Sequence, residues 1–154
     1  MFSLYTSLKF VHVLLALVAV GFNASYGLLI GRARKVGLDG RELKFALRTV
    51  KFMDDNIANP CYVLLLITGI GMVQTAGYPW ALKWIHGSMA LLILLAILGF
   101  AVYTPTLRKQ LAALDARGPN DPEFIKLSKR GAMLGGIMGV ITLVIVALMV
   151  FKPA

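Results

Sequence analysis

The chain has 154 residues, 58% of them hydrophobic, and a mean hydropathy of +0.78. That composition excludes a soluble globular domain and leaves an integral membrane protein. The formal net charge of +9 is not read as nucleic-acid binding, because no aromatic-interleaved basic platform accompanies it.

Four stretches are long and apolar enough for membrane helices, which take about 20 residues each. They are 10–30, 57–74, 84–103 and 132–151, so a single integral membrane domain over residues 1–154 is expected. The first is too long for a signal peptide, and only Lys9 stands in for a basic leader. Segment 32–55 holds seven Lys and Arg residues and segment 104–130 holds six, leaving only Lys9, Lys83 and Lys152 elsewhere. All seven acidic residues fall in the same two segments. The positive-inside rule then puts both connections in the cytoplasm and both termini outside a bacterial inner membrane. The basic excess would meet lipid headgroups of the bilayer. The expected fold is all-α, an up-and-down four-helix membrane bundle with cytoplasmic helix extensions.

The first helix opens with Leu8-Lys9-Phe10-Val11-His12. Below His12, Leu15, Ala16, Ala19 and Asn23 follow at helical spacing, giving a mostly small, apolar face directed into the bundle. Before the second span, Arg41, Lys44, Arg48 and Lys51 fall on one helical face and Leu43, Ala46, Leu47 and Val50 on another. That amphipathic helix is expected to run into the second span, bent at Asn59-Pro60. Gly77 and Pro79 make a tight turn, so the second and third helices are antiparallel neighbours.

The third helix repeats the opening phrase 74 residues later, as Leu82-Lys83-Trp84-Ile85-His86. Ala90, Ile93 and Ile97 follow His86 on the same face. This helix is expected to continue through Thr104-Pro105 and to stop at Gly118-Pro119. The fourth begins with Asp121 as N-cap, Pro122 at its first position and Glu123 in its first turn. Gly131, Gly135 and Gly139 make a small-xxx-small ladder on it, expected to serve close helix packing.

His12 and His86 are the only histidines of the chain. The first and third helices run in the same direction and lie diagonally in such a bundle, which puts both imidazoles at similar depth. Two facing imidazoles suit a six-coordinate haem b, and copper is the alternative metal. Lys9 and Lys83, one turn outward, would pair with the propionates. Trp84, Phe10 and Trp80 would cover the ring edges, and Ala16, Ala19 and Ala90 would leave room for the macrocycle. Histidine at a membrane interface also occurs without any ligand role. A second group, Asn23, Ser25, Tyr26, Asp54, Asp55, Asn56 and Asn59, lies toward the cytoplasmic side. It lines a proton or ion entry on one reading, and makes interhelical hydrogen bonds on the other. The single Cys61 excludes an internal disulfide, and the seven methionines form no M-x-x-M motif. No Ser-His-Asp set, phosphate loop or paired-carboxylate motif can be assembled, so enzymatic activity is undecided.

The chain resembles a family of predicted bacterial integral membrane proteins with four spans and unknown function. The matching features are Leu8-Lys9-Phe10-Val11-His12, the stretch from Pro60 to Thr68-Gly69, Thr104-Pro105, and Leu148-Met149-Val150-Phe151-Lys152-Pro153. Through the Leu-Lys-x-x-His opening it is also similar to the copper-resistance D proteins and the membrane protoporphyrinogen oxidases. The oxidase resemblance implies haem ligation at His12, although the chain continues Val13-Leu14-Leu15-Ala16 where that family has Trp-x-x-Gly-Leu-Phe-Tyr-Leu-Pro-Arg. The copper-resistance resemblance implies metal handling near the outer face.

Three functions follow as expectations. The first is a haem b membrane protein passing electrons between a quinol and a respiratory partner, as a monomer or homodimer. The second is a copper or small-substrate permease. The third is an accessory subunit of a membrane complex that holds no cofactor.

Overall fold

The computed structural model describes residues 3–36 and 40–153, and the described residues are almost entirely helical. Helix α1 runs over Leu4–Val36, uninterrupted by proline. Helix α2 (Arg41–Met53) passes through a π-helical segment, Asp54–Ala58, into α3 (Asn59–Ala76). Helix α4 (Lys83–Ile97) does the same, through a π-helical segment over Leu98–Tyr103 into α5 (Thr104–Arg117). Helix α6 spans Pro122–Phe151. Four continuous rods result: Leu4–Val36, Arg41–Ala76, Lys83–Arg117 and Pro122–Phe151. Each is long and apolar enough to cross a membrane, and each extends beyond the span drawn from hydropathy.

The local chemistry explains where the rods end. Gly77, at φ 66°, closes α3 as its cap: its N–H reaches Gln74 O, and the Tyr78 N–H reaches Val73 O at 3.1 Å. Gly118, at φ 85°, stops α5. Asp121 accepts from the Phe124 N–H at 3.0 Å and caps α6, with Pro122 at the first helical position. Arg117 pairs with Glu123 and lies 3.6 Å from Asp121, clasping this turn.

The two π-helical segments share a cause. Pro60 has no N–H for the Asn56 carbonyl, and Pro105 has none for the Ala101 carbonyl. In each case the proline ring would also crowd that carbonyl. Widening the preceding turn relieves the crowding and rotates the residues that follow. The bend expected at Asn59-Pro60 is thus a π turn, and Thr104-Pro105 has a matching one.

The rods form a ring in which α1 packs on α2 and α3, α3 touches α4, and α4 and α5 pack on α6. Helices α1 and α4 make little or no contact, as diagonal members of an up-and-down bundle should. The start of α1, the end of α6 and the turn at 77–82 share one end, where the Lys152 ammonium lies 5.4 Å over the Trp84 ring. The opposite, basic end holds α2, α5 and the start of α6. There Leu47, Val50 and Leu107 are almost fully buried, and Asp115 bonds Lys44 at 2.6 Å. Among the buried residues of α1, Ala19, Tyr26 and Ala33 recur every seventh position, on the stripe that also carries His12.

Candidate functional site

The repeated phrase does not put its two histidines on equivalent faces. His12 is half-buried in the seam between α1 and α3, with its Nδ1 2.7 Å from Thr68 Oγ1. Thr68 donates its own proton to the Leu64 carbonyl at 2.7 Å, so its oxygen accepts from the imidazole. In the neutral ring this puts the proton on Nδ1 and leaves a lone pair on Nε2. Gly69 makes room for the ring: a Cβ there would sit 3.4 Å from His12 Cε1.

His86 is exposed. The inward face of α4 carries Ile85, Ser88 and Leu95, one position out of phase with the histidine. The residues set below His86 as a macrocycle slot follow it outward: Ala90 is exposed, and Ile93 and Ile97 are 46% and 55% exposed. Lys9 and Lys83 are exposed as well, and Trp84 is edge-on to Tyr78 at 5.9 Å. Ala16 and Ala19 do face inward. Half of the proposed slot therefore lines the bundle interior, and the other half points away from it.

The more fully built polar site lies toward the basic end, where the two π-helical segments meet. Asp54 is 2% exposed and accepts from Thr104 Oγ1 at 2.6 Å. Asn59 Nδ2 lies 3.4 Å from the same carboxyl oxygen and 3.5 Å from Thr104 Oγ1. Tyr26, Tyr62 and Tyr103, all buried, are electrostatic neighbours of Asp54. Asn23 donates to the Tyr62 hydroxyl and, at 2.9 Å, to the Ala19 carbonyl. The neighbouring Asp55 pairs instead with Lys51 at the surface. Of the cytoplasmic-side group read from the sequence, the structure gathers Asn23, Tyr26, Asp54 and Asn59. It leaves Ser25 on its own Phe22 carbonyl and Asn56 on that of Phe52.

Tyr62, Tyr103 and Thr104 belong to this site and were not singled out as site residues. The available signal was the pairing of Asn59-Pro60 with Thr104-Pro105, since two prolines at matching depth predict two wide turns. Cys61 is buried, and no group of three or more His, Cys, Asp or Glu residues able to hold a metal occurs among the described residues.

A groove of about 480 Å³ adjoins this cluster between α1 and α6, lined by Asn23, Tyr26 and Tyr103 together with Gly135 and Gly139. The glycine ladder of α6 lines it, and of its three members only Gly131 makes the close packing expected from the spacing. A Cβ at Gly135 or Gly139 would meet nothing within 4 Å, and only Gly131 is tightly covered, by the Gln110 amide.

Residues 6–153 match the profile of the family described as "Predicted integral membrane protein (DUF2269)", and the chain belongs to that family. No curated protein and no solved structure matches it.

Proposed function

We propose that this member of the predicted integral membrane protein family handles protons within the bilayer, with Asp54 as the group that takes up and releases them. The observation that carries the reading is a carboxyl group only 2% exposed whose hydrogen-bond donors, Thr104 and Asn59, are both neutral. A carboxyl buried at the edge of the apolar span 57–74 is costly to keep, and ionisable groups held in membrane helices serve function by default. Thr104 and Asn59 hold the carboxyl in place, while Tyr62, bonded to Asn23, and the buried Tyr103 stand beside it. With the basic segments in the cytoplasm of a bacterial inner membrane, the cluster opens toward the cytoplasmic leaflet.

The test is proton flux into liposomes containing the protein, driven by a potassium diffusion potential and read with an entrapped pH dye. Wild type is expected to exceed empty vesicles, and Asp54→Asn, which keeps the size and the acceptor for Thr104, to match them. Equal flux in wild type and Asp54→Asn would remove the reading.

A second reading is favoured by His12. Its Nε2 lone pair, held available by the Thr68 hydrogen bond, suits a haem b or copper ligand in a protein that exchanges electrons with a quinol or a respiratory complex. Since His86 does not face His12, any further ligand to such a group would come from outside this bundle, for instance from another copy of the chain. Absorption spectra before and after dithionite decide it: haem bands lost in His12→Ala but retained in His86→Ala support ligation by His12. A protein without haem or bound copper after growth with both supplied would exclude it.

A further inference from the structure

The groove between α1 and α6 carries an inference independent of the Asp54 reading. Helix α1 leans on α2 and α3 and α6 on α4 and α5, so the ring is loosest where α1 and α6 meet. The groove there holds about 480 Å³, within the range of about 300–1,000 Å³ usual for small-molecule sites. Its walls are mostly apolar and, at Gly27, Gly31, Gly135, Gly136 and Gly139, a Cβ would meet nothing within 4 Å. These glycines hold a space open between the two helices.

One polar group in the lining has no partner. Tyr26 is 4% exposed, and its hydroxyl makes no hydrogen bond. A buried hydroxyl left without an acceptor costs about 1–3 kcal/mol, so such groups normally find one. An unadorned acyl chain in the groove would leave the hydroxyl orphaned, and a second transmembrane helix would satisfy it only by bringing a carbonyl or a polar side chain to that point, as the Met138 carbonyl does for Thr142. The missing partner is an oxygen acceptor on an otherwise apolar molecule.

We propose that the α1–α6 groove binds a neutral, tailed amphiphile of the quinone type. A ring carbonyl accepts from the Tyr26 hydroxyl beside Asn23 and Tyr103, and the apolar tail leaves over Gly135 and Gly139 into the bilayer. Ring and tail enter sideways from lipid, as a hydrophobic carrier must, without passing the charged end of the bundle. Arg34, at the basic mouth of the groove, is bonded to Ser128 and is left out of head recognition.

The test is calorimetric titration of the full-length protein in nanodiscs with decylubiquinone, set against protein-free nanodiscs. Saturable binding is expected for wild type. Tyr26→Phe removes only the hydroxyl and should weaken binding about tenfold, as the loss of one ordinary hydrogen bond does. Gly135→Leu fills the groove and should abolish binding. Gly21→Leu makes the same change at another position with open space around its Cβ and should bind like wild type. Asp54→Asn should also bind like wild type, which separates this proposal from the proton reading. Absence of saturable binding, unchanged affinity in both Tyr26→Phe and Gly135→Leu, or equal competition by decanol would each overturn it. So would a Gly135→Leu protein that loses a wild-type dimer, since a second copy would then occupy the groove.

Discussion

The segments Leu8–His12 and Leu82–His86 share three identical residues in five and begin parallel helices, yet the bundle uses them differently. In α1 the inward positions are those of Leu8 and His12, continued by Ala19 and Tyr26 at intervals of seven. In α4 the inward position is Ile85, continued by Ser88 and Leu95. The rotational phase of a helix is set by its whole buried stripe and by the partner it packs on, and five residues are too few to fix it. Helix α1 turns its stripe to α3, where Thr68 and Gly69 receive the imidazole. Helix α4 turns toward α6, and Leu148 would lie 3.3 Å from a Cβ at Gly87. The two phrases therefore carry one half-buried, oriented histidine and one exposed histidine.

Moving the second histidine into phase is the strongest way to break the comparison. The exchange Ile85→His with His86→Ile would bury an imidazole in place of an aliphatic side chain. It should destabilise the bundle by about 3 kcal/mol or more in reversible unfolding from lipid-detergent mixtures. A smaller change would show the phase assignment of α4 to be wrong.

Thr68→Val tests the other side. It keeps the shape and removes the acceptor for His12, at an expected cost of about 1–3 kcal/mol. Nitrogen NMR should show the Nδ1-protonated tautomer of His12 in wild type and its loss in Thr68→Val. If the tautomer persists in the variant, the hydrogen bond is not what orients the ring. His86→Ala should change stability by no more than about 0.5 kcal/mol, as expected of an exposed position. A larger loss would mean that His86 has a partner outside the bundle.

The smallest effect lies away from both phrases. The Lys44 ammonium, hydrogen-bonded to Asp115, and the nearby Arg48 hold this exposed carboxyl below the usual carboxylate range. A lowered carboxylate pKa contributes stability that is fully present above its unfolded value and fades as pH falls through the folded one. Asp115→Asn should therefore lose this slight stabilisation at neutral pH, match wild type in acid, and show a flatter fall in stability between the two. An acid profile identical in the two proteins would show the ion pair to be without effect.

How far the sequence reached differs between the two sites. The turn chemistry of Gly77, Gly118 and Asp121 was readable because such caps act over four or five residues. The inner cluster was half readable. Asn23, Tyr26, Asp54 and Asn59 stood out as polar groups near the ends of apolar helices, but their partners Tyr62, Tyr103 and Thr104 are brought in by contacts between helices. The glycine ladder was visible as spacing, yet its role as a groove wall depends on how far α1 stands from α6.

The sequence alone thus determined four apolar helical rods, their breaks and caps, and the two charged connections, because hydropathy, proline and capping are local. Tertiary structure decided which way each rod faces. It put His12 against Thr68 and left His86 exposed, and it joined two proline-induced π turns around Asp54. Those outcomes depend on helix rotation and pairing, to which residues distant in the chain contribute together.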